Sequence, residues 1–245
     1  MGRPIDAREM KVLVKFRNSL IQLNAKNGRN VYNYVIGCSG GTDSVALLLC
    51  AYYLNKLLKF KYNFICVYID HGLRPVEDEI EFVADLCGLL DIPFKDEAVD
   101  LSIYKDNNVE AVGRTARYEL LNKVGKEYFE DKKHFACSCF RVLTAHHEKD
   151  QAETILMGIL GLVHSMPGNL KKISKCNNLL NTWRPLLDIP REELEYMVRD
   201  FKVIEDPTNT DIKFKRNLVR HKVLPALKNI LGDNIEAVIA SKAGE

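Results

Sequence analysis

The chain contains no long hydrophobic run. No apolar stretch within its 245 residues approaches the roughly 20 residues that a helix needs to cross a bilayer, which argues against a membrane protein. The opening residues Met1–Asp6 are not followed by the apolar segment of a secretory signal peptide. The seven cysteines are odd in number, several lie inside apolar runs, and none forms a C-x-x-C pair with another. We therefore expect reduced, buried thiols and a cytoplasmic protein.

A strong charge bias is also missing. Lysine and arginine number 35 and aspartate and glutamate 33, so the formal net charge is +2. A balance this close to zero neither demands nor excludes a nucleic-acid partner, because the distribution of charge along the chain matters more than its sum. The sequence has no internal repeat and no low-complexity segment, and its length suits one large domain or one domain with an appendage.

What the chain does contain is a glycine-rich turn between a predicted strand and a predicted helix. Apolar residues lead into the turn at Val35–Cys38 and leave it at Val45–Leu49. Between them, Ser39–Ser44 reads Ser-Gly-Gly-Thr-Asp-Ser, without the lysine of a Walker A motif and without the pattern G-x-G-x-x-G. A strand, a tight turn and a helix N-terminus together present backbone N–H groups and the positive end of a helix dipole to an anion. The alternative is an ordinary turn that binds no ligand.

The residue types within this turn favour a phosphate ligand. Gly40 and Gly41 allow a close approach that a Cβ atom would block. Three hydroxyl groups add hydrogen-bond donors, at Ser39, Thr42 and Ser44. Asp43 is the exception, because a carboxylate beside a phosphate repels it unless a Mg²⁺ ion lies between them. The turn therefore predicts a phosphate site with Asp43 as a metal ligand.

Strand patterns and helix patterns alternate along most of the chain. The predicted strands are Tyr32–Cys38, Asn63–Ile69, Pro93–Val99 and Arg141–Ala145, with a shorter one at Leu179–Trp183. The alternation predicts an α/β fold, Rossmann-like and doubly wound, with a mostly parallel sheet and helices on both faces. A helix with an Asp6-x-x-Glu9 capping box precedes the first strand, and a small helical extension ends the chain. The stretch 161–178 is predicted to be a loop.

Polar and charged residues follow two of the predicted strands. Asp70–Arg74 comes directly after the second strand and His146–Asp150 after the fourth. The carboxyl ends of parallel strands meet at one edge of a sheet, where open α/β folds bind ligands. Two adjacent histidines do not make a zinc site without further ligands at fixed spacing.

Two basic clusters have two interpretations each. Arg114, Arg117 and Tyr118 share one helix face, which suits either an anion or a solvated basic face beside a core tyrosine. From Lys213 to Lys228 there are six basic residues and no acid. Basic residues interleaved with apolar ones favour contact with phosphates, and the alternative is a solvated helix face.

Several of these stretches resemble known motifs. Ser39–Ser44 resembles the S-G-G-x-D-S loop of the N-type ATP pyrophosphatases, the PP-loop superfamily, which adenylates a carbonyl oxygen and releases pyrophosphate. Other stretches are similar to motifs of one family within it, the tRNA(Ile)-lysidine synthetases. They are Asp70–Arg74 (D-H-G-L-R), Glu110–Tyr118 (E-x-x-x-R-x-x-R-Y), Thr144–Thr154 (T-A-H-H-x-D-D-Q-A-E-T), Arg184–Leu187 (R-P-L-L), Asp206–Asp211 (D-P-S/T-N-x-D) and Arg216–Arg220 (R-N-x-x-R). The motifs keep the family's order between about Tyr32 and Leu227.

The resemblance implies an ATP-dependent and Mg²⁺-dependent carbon–nitrogen ligase. In this family the C2 oxygen of the wobble cytidine of an isoleucine tRNA with anticodon CAU is adenylated. The ε-amine of free lysine then attacks C2 and expels AMP, which leaves the base lysidine. The implied partners are therefore this tRNA and free L-lysine, with a homodimer left open and no membrane.

The resemblance also implies roles for particular residues. ATP would contact the turn and two arginines, namely Ser39, Gly40, Gly41, Thr42, Asp43, Ser44, Arg114 and Arg117. Mg²⁺ would lie on Asp43 and Asp150, and these two acids would act in catalysis with Arg114 and His146. His146 would position the adenylation step, electrostatically rather than as a base. The residues expected to contact tRNA or the adenylated intermediate are Arg184, Arg216 and Arg220.

The resemblance also suggests a division of the chain and shows departures. We expect an N-terminal packing helix at 1–30, an ATP-binding PP-loop domain at 31–187 and a helical tRNA-contact segment and linker at 188–245. Lys149 stands where the family has the first of two aspartates, and Gly161-Leu162 where it has Leu-Arg-Gly. Longer members carry further C-terminal domains, so the chain is either a short form or a fragment.

Three alternative functions remain at this stage. One is a tRNA thiolase of the same superfamily, although no C-x-x-C pair is present to hold an iron–sulfur cluster. A second is an amidating ATP pyrophosphatase, which would leave the Arg216–Arg220 motif without a role. The third is a non-catalytic tRNA-binding protein in which Lys149 has disabled the metal site.

Overall fold

The structure is a computed structural model that describes residues 4–28, 31–72, 74–99, 109–130, 139–162, 172–205 and 212–242. The motif at Asp206–Asp211 lies outside these residues, as does Leu73. The backbone of Glu110 is described but its side chain is not.

Helices and strands alternate in the order predicted. The helices are α1 (Ala7–Asn27), α2 (Thr42–Leu58), α3 (Glu77–Leu90), α4 (Val109–Glu130), α5 (Glu148–Ile159), α6 (Arg191–Val198), α7 (Lys215–Leu218), α8 (Leu224–Leu231) and α9 (Ile235–Ser241). A π-helical segment, Val219–Val223, joins α7 to α8. The strands are β1 (Asn33–Gly37), β2 (Asn63–Asp70), β3 (Phe94–Ala98), β4 (Phe140–Leu143), β5 (Cys176–Asn177) and β6 (Thr182–Trp183).

The strands form one sheet in the order β3-β2-β1-β4-β6-β5. All neighbouring strands are parallel except β5 and β6, and β1 lies between β2 and β4, with Val35 opposite both Ile65 and Val142. Helices pack on both faces, because successive β1 side chains point to opposite sides. Tyr34 and Ile36 join the core formed with α1, α2, α3 and α6, whereas Val35 joins the core formed with α4. The predicted doubly wound α/β fold is confirmed.

The antiparallel pair β5 and β6 at the edge of the sheet was only partly predicted. The stretch 161–178 was expected to be a loop, but β5 occupies Cys176–Asn177, and only the end of the predicted strand Leu179–Trp183 is a strand. Asparagines make the turn between the two strands. Asn181 has a positive φ of 51°, and the side chain of Asn177 accepts a hydrogen bond from the N–H of Leu180. Turn chemistry therefore shortened the strand that the apolar pattern predicted.

The first helix is tied to the body of the molecule at its N-terminus. The predicted capping box is present, since Asp6 accepts from the N–H of Glu9 and Glu9 accepts from the N–H of Asp6. Arg199 at the end of α6 pairs with both of these carboxylates, at 3.0 Å from Asp6 Oδ2 and 2.9 Å from Glu9 Oε1. The predicted division of the chain into a packing helix (1–30), an ATP-binding domain (31–187) and a tRNA-contact segment (188–245) stays a prediction.

The helical extension has a small apolar core of its own. Ala152 and Leu156 of α5 pack against Val219 and Leu224, with Ile239 of α9 at the edge of this cluster. No described helix combines the length and the apolar character needed to cross a membrane. Four cysteines are buried and free, as the pattern predicted, at Cys38, Cys50, Cys66 and Cys87. Cys139, by contrast, is disulfide-bonded, which departs from the expectation of reduced thiols.

Candidate functional site

The glycine-rich turn lies between the end of β1 and the start of α2. Gly41 is the N-cap of α2, and Thr42 is its first helical residue. Asp43 is therefore in the first turn of the helix, where a carboxylate interacts favourably with the helix dipole. The predicted strand–turn–helix context of Ser39–Ser44 is confirmed, and the backbone N–H groups of the helix start are directed to the carboxyl edge of the sheet.

Gly40 must be glycine for two reasons. Its φ of 78° is a left-handed conformation that residues with a Cβ adopt only with strain. A Cβ atom would also overlap Ile204 Cδ1 and lie 3.1 Å from Ile204 Cγ1. The segment that carries Ile204 is held in place by its own N–H, which donates to the carbonyl of Gly40 at 2.9 Å. The turn and this later segment therefore form one packed unit.

Replacing Gly40 with alanine is expected to destabilise the protein by about 2–4 kcal/mol, from backbone strain together with overpacking. Gly28→Ala is the matched control, because Gly28 also has a positive φ of 67° but no atom lies within 4 Å of its Cβ position. That control should cost only about 1 kcal/mol. Equal losses in urea unfolding would show that the contact with Ile204 contributes nothing, whereas partial recovery in Gly40→Ala/Ile204→Ala would support it.

The hydroxyl of Ser44 forms hydrogen bonds with backbone groups of the turn itself. It donates to the carbonyl of Gly41 at 2.9 Å and accepts from the N–H of Ser39 at 3.2 Å, and the side chain is buried. Cys38 Sγ lies 3.6 Å from the same oxygen. Ser44 thus stabilises the shape of the turn, and its predicted contact with a phosphate stays a prediction.

A buried histidine connects the turn to the start of α5. His147 is the N-cap of α5, where its N–H donates to Asp150 Oδ2 at 3.0 Å and its Nδ1 accepts from the N–H of Asp150 at 3.4 Å. Because Nδ1 is an acceptor, Nε2 carries the proton in the neutral ring. Nε2 lies 3.4 Å from Asp43 Oδ2 and 3.5 Å from Asp150 Oδ2. Both predicted metal ligands therefore flank one imidazole edge.

The charges around this histidine shift the pKa values of three groups. Burial lowers the pKa of His147, but Asp43 and Asp150 outweigh burial and the pKa lies above its ordinary value. Burial raises the pKa of Asp150, but His147, Arg216 and His146 together hold it below its ordinary value. Asp150 is consequently an anion at neutral pH.

His146 is neutral at physiological pH. Burial lowers its pKa to about 3, opposed by Asp150 and assisted by Arg184, Arg114 and Arg216. Its Nδ1 lies 3.0 Å from the hydroxyl of Thr144, which holds the ring in place. A neutral ring contacts a substrate through hydrogen bonds, and the predicted role of His146 in the adenylation step stays a prediction.

Arg216 and Arg220 turn inward onto a fully buried carboxylate. Glu153 is 0% exposed; its Oε2 accepts from Arg216 Nε at 2.7 Å and its Oε1 from Arg220 Nε at 2.6 Å. Arg216 Nη2 also donates to Asp150 Oδ1 at 2.9 Å. These pairs hold the helical extension on α5. The predicted contact of the two arginines with tRNA stays a prediction, and any such contact is shared with these carboxylates.

The other predicted arginines differ in exposure. Tyr118 of α4 is buried in the core between α4 and the sheet, which agrees with the alternative that it is a core tyrosine. Arg114 and Arg117 of the same helix are exposed. Arg117 Nη2 lies 3.0 Å from His71 Nε2, which joins α4 to the end of β2. Arg184 is 2% exposed, and its Nη1 donates to the carbonyl of Ser174 at 2.6 Å. Its buried Nε has no hydrogen-bond partner among the residues that the structure describes.

The sequence of residues 12–227 matches the PP-loop domain family. The chain belongs to this PP-loop family. It is 34% identical over 224 residues to a protein from Chromobacterium violaceum named tRNA(Ile)-lysidine synthase, a match that covers 87% of this chain and 47% of that protein. A protein of the same name from Coxiella burnetii is 34% identical over 205 residues, which is 80% of this chain and 41% of that protein. The chain therefore spans less than half the length of these relatives.

One solved structure supports the same fold. The U34-tRNA thiolase NcsA from Methanococcus maripaludis, solved with its 4Fe-4S cluster, has a TM-score of 0.68 and 18% sequence identity. The similarity covers 96% of this chain and 78% of that chain. At this level of identity the likeness concerns the fold alone.

Within the PP-loop site, Asp43 is better suited to hold a cation than Asp150. Asp43 Oδ1 is shielded from solvent and accepts no hydrogen bond from any described residue, whereas both oxygens of Asp150 have donors, from Arg216 and His147. Across the described ranges, no three His, Cys, Asp or Glu side chains form a group that could hold a metal ion.

Lys149, the departure from the family motif, pairs with a residue away from the PP-loop, the turn Ser39–Ser44. Its Nζ lies 3.6 Å from Glu236 Oε1 on α9, and Lys228 Nζ lies 3.2 Å from the same oxygen. Glu236 is buried, so the two lysines neutralise a carboxylate that would otherwise be costly to bury. Lys149 and Asp150 are neighbours in sequence but face different partners, because successive helical residues diverge by about 100°.

Replacing Lys149 with aspartate is expected to cost about 1–3 kcal/mol of stability, because it places a like charge beside the buried Glu236 while Lys228 still offsets part of it. Lys149→Gln should cost less. Unfolding in urea measures both changes, and hydrogen exchange of α9 should increase first. A Lys149→Asp protein as stable as the unmodified chain would contradict this role for Lys149.

Three residues of this site received no role from the sequence: His147, Glu153 and Arg191. His147 could have been found, because a histidine directly before an acidic first helical turn is a plausible N-cap. Glu153 could not, because its partners Arg216 and Arg220 lie 63 and 67 residues further along the chain. Arg191 approaches Asp43 only because α6 packs beside the start of α2.

Proposed function

We propose that the chain catalyses the tRNA(Ile)-lysidine synthase reaction in the cytoplasm. ATP adenylates the C2 oxygen of the wobble cytidine in CAU-anticodon isoleucine tRNA, and free L-lysine then displaces AMP to form lysidine. The relatives that carry this name, at 34% identity over most of the chain, support the proposal. The observation that carries it is the contact of Asp43 with His147, which brings the PP-loop and the His146–Asp150 motif to one edge of the sheet.

The nucleotide would lie with its phosphates on the PP-loop. Backbone N–H groups from Ser39 to Ser44 and the helix dipole of α2 favour the negative charge, and Gly40 and Gly41 leave room for close approach. Arg114 and Arg117 are exposed on α4, and their guanidinium groups would contact the phosphates from that helix. Neutral His146 would orient the reacting groups through its ring nitrogen that Thr144 does not contact.

Asp43 would hold the Mg²⁺ ion of this reaction. Its Oδ1 atom, buried without a hydrogen-bond donor, fits a cation, and Mg²⁺ in such sites is held by one or two carboxylates together with substrate phosphates. When bound, the ion would neutralise charge on the phosphates. Asp150 keeps His147 in place through two hydrogen bonds and thereby supports Asp43.

The tRNA would approach from the side of the helical extension. Arg184 is buried, and its Nε has no hydrogen-bond partner among the described residues, so it is suited to the anionic phosphate of the adenylated intermediate rather than to the outer backbone. Arg216 and Arg220 orient this side through Glu153 and Asp150. A homodimer is a further prediction, which sedimentation equilibrium would test.

The test is a ligation assay. The protein is incubated with ATP, Mg²⁺, radiolabelled lysine and isoleucine tRNA with anticodon CAU, and label on the tRNA is counted. Methionine tRNA, which has the same anticodon, is the control that should stay unlabelled. We expect label only when ATP and the isoleucine tRNA are both present. Retention of tRNA without ATP-dependent label would overturn the proposal in favour of a non-catalytic tRNA-binding protein.

A further inference from the structure

Arg191 is placed beside the PP-loop without using its hydrogen-bonding capacity. It is the first residue of α6, and its Nε lies 3.7 Å from Asp43 Oδ1 and 3.4 Å from Glu195 Oε1. Nε is shielded from solvent, yet neither it nor Asp43 Oδ1 forms a hydrogen bond within the described structure. The side chain as a whole is 30% exposed, so a ligand can reach the guanidinium.

This arrangement differs from that of the other arginines near the site. Arg216 and Arg220 each donate two hydrogen bonds to Glu153 or Asp150, which accounts for their positions. Within the described part of the chain, Arg191 forms two longer ion pairs, at 3.7 Å from Asp43 and 3.4 Å from Glu195. A guanidinium carries five N–H donors in a rigid fork and stays charged at any physiological pH, so a planar oxyanion ligand suits it.

The element that carries Arg191 is firmly packed. Leu194, Met197 and Val198 of α6 are buried in the core that also contains α2. The backbone that carries Arg191 is therefore held in place beside the first turn of α2. Arg191 Nε lies 3.7 Å from Asp43 Oδ1 in the first turn of α2, the helix start beside which the phosphates of a nucleotide would lie.

We propose that Arg191 is a phosphate-binding residue that contacts the pyrophosphate portion of the nucleotide. The inference rests on the proposed use of ATP. In adenylation the acceptor oxygen bonds to the α-phosphorus while the bond from that phosphorus to the bridging oxygen breaks. The electron pair leaves on pyrophosphate. Arg191 donates hydrogen bonds to this leaving group and transfers no proton, and its charge favours the product more than the intact triphosphate.

A purely structural role makes a different prediction. If Arg191 only packs against Asp43 and Glu195, its loss should weaken all ligands alike or reduce stability alone. A phosphate contact, by contrast, should affect ATP and inorganic pyrophosphate but spare AMP, which lacks the leaving group.

The variants are Arg191→Gln and Arg191→Lys, with Arg199→Gln as the matched control. Arg199 lies at the other end of α6 with the same 30% side-chain exposure, but it pairs with Asp6 and Glu9 away from the PP-loop. Calorimetry with ATP, inorganic pyrophosphate and AMP measures the dissociation constants. We expect Arg191→Gln to weaken ATP and pyrophosphate by about tenfold or more and AMP by less than about twofold, with Arg191→Lys intermediate.

Unchanged pyrophosphate binding in Arg191→Gln, or equal losses for AMP and pyrophosphate, would overturn the inference. Arg199→Gln should leave all three affinities unchanged, and an effect equal to that of Arg191→Gln would also count against it. These measurements need neither tRNA nor lysine. Selective loss of pyrophosphate binding in a protein that ligates no lysine would therefore refute the proposed function alone.

Discussion

Replacing Asp43 with asparagine is expected to reduce ATP–pyrophosphate exchange in the presence of tRNA by about a hundredfold or more. Asp43 Oδ2 lies 3.4 Å from His147 Nε2, and Asp43 Oδ1 lies 3.7 Å from Arg191 Nε, which is beyond hydrogen-bond distance. An amide supplies only one oxygen, and its NH₂ group would face one of these donors. The change also removes the negative charge that the bound cation requires. The exchange rate at saturating ATP is the measurement.

The control for this experiment is Asp85→Asn, the same chemical change at an exposed position on α3. It should leave the exchange rate within about twofold of the unmodified protein, as surface changes usually do. Urea unfolding of Asp43→Asn should show a protein that still folds, because Asp43 is one-third exposed. An Asp43→Asn protein with full exchange activity would remove Asp43 from the site and with it the main support for Mg²⁺ on the PP-loop.

Replacing Glu153 with glutamine is expected to destabilise the protein by about 3 kcal/mol. Glu153 is completely buried and accepts three hydrogen bonds from Arg216 and Arg220. The amide would present N–H groups to a guanidinium and leave the arginine charges without their partner. This loss lies at the lower end of the range for breaking a buried ion pair. The reason is that Arg216 and Arg220 are partly exposed and that Asp150 still contacts both of them. Guanidinium chloride unfolding measures the loss.

Glu127→Gln is the control for Glu153. Glu127 also pairs with two basic residues, Lys95 and Lys123, but its side chain is 47% exposed, so its loss should cost less than about 1 kcal/mol. Hydrogen exchange should show faster opening of Lys215–Leu231 in Glu153→Gln and not in the control. Similar losses for the two variants would mean that Glu153 does not anchor the helical extension.

Much of the site follows from local sequence. The turn at Ser39–Ser44 has its predicted structure because the glycines and the N-terminus of α2 are encoded by neighbouring residues. Asp43 and Asp150 were assigned to one Mg²⁺ site through the family resemblance, and in the structure both carboxylates lie beside His147 Nε2. The Mg²⁺ site itself stays a prediction.

Charge along the sequence does not reveal the partners that a basic residue has within the fold. Arg216 and Arg220 were assigned to tRNA or the bound intermediate, which stays a prediction, and the structure adds their ion pairs with carboxylates on α5. Lys149 was a suspected lesion of the metal site, and it faces Glu236 instead. In each case the acid lies more than 60 residues away, beyond the reach of any local pattern.

By itself, the sequence determined the order of strands and helices, the phosphate-binding shape of the turn and the family, because these depend on hydrophobic period, glycine positions and motifs within short segments. Only the tertiary structure decided which arginines pair with carboxylates. It also decided that Lys149 contacts Glu236 and that Arg191 lies beside Asp43. Those features arise where α5, α6 and the helical extension pack together. Such packing brings distant charges within 4 Å of one another, and their pairing follows from that geometry.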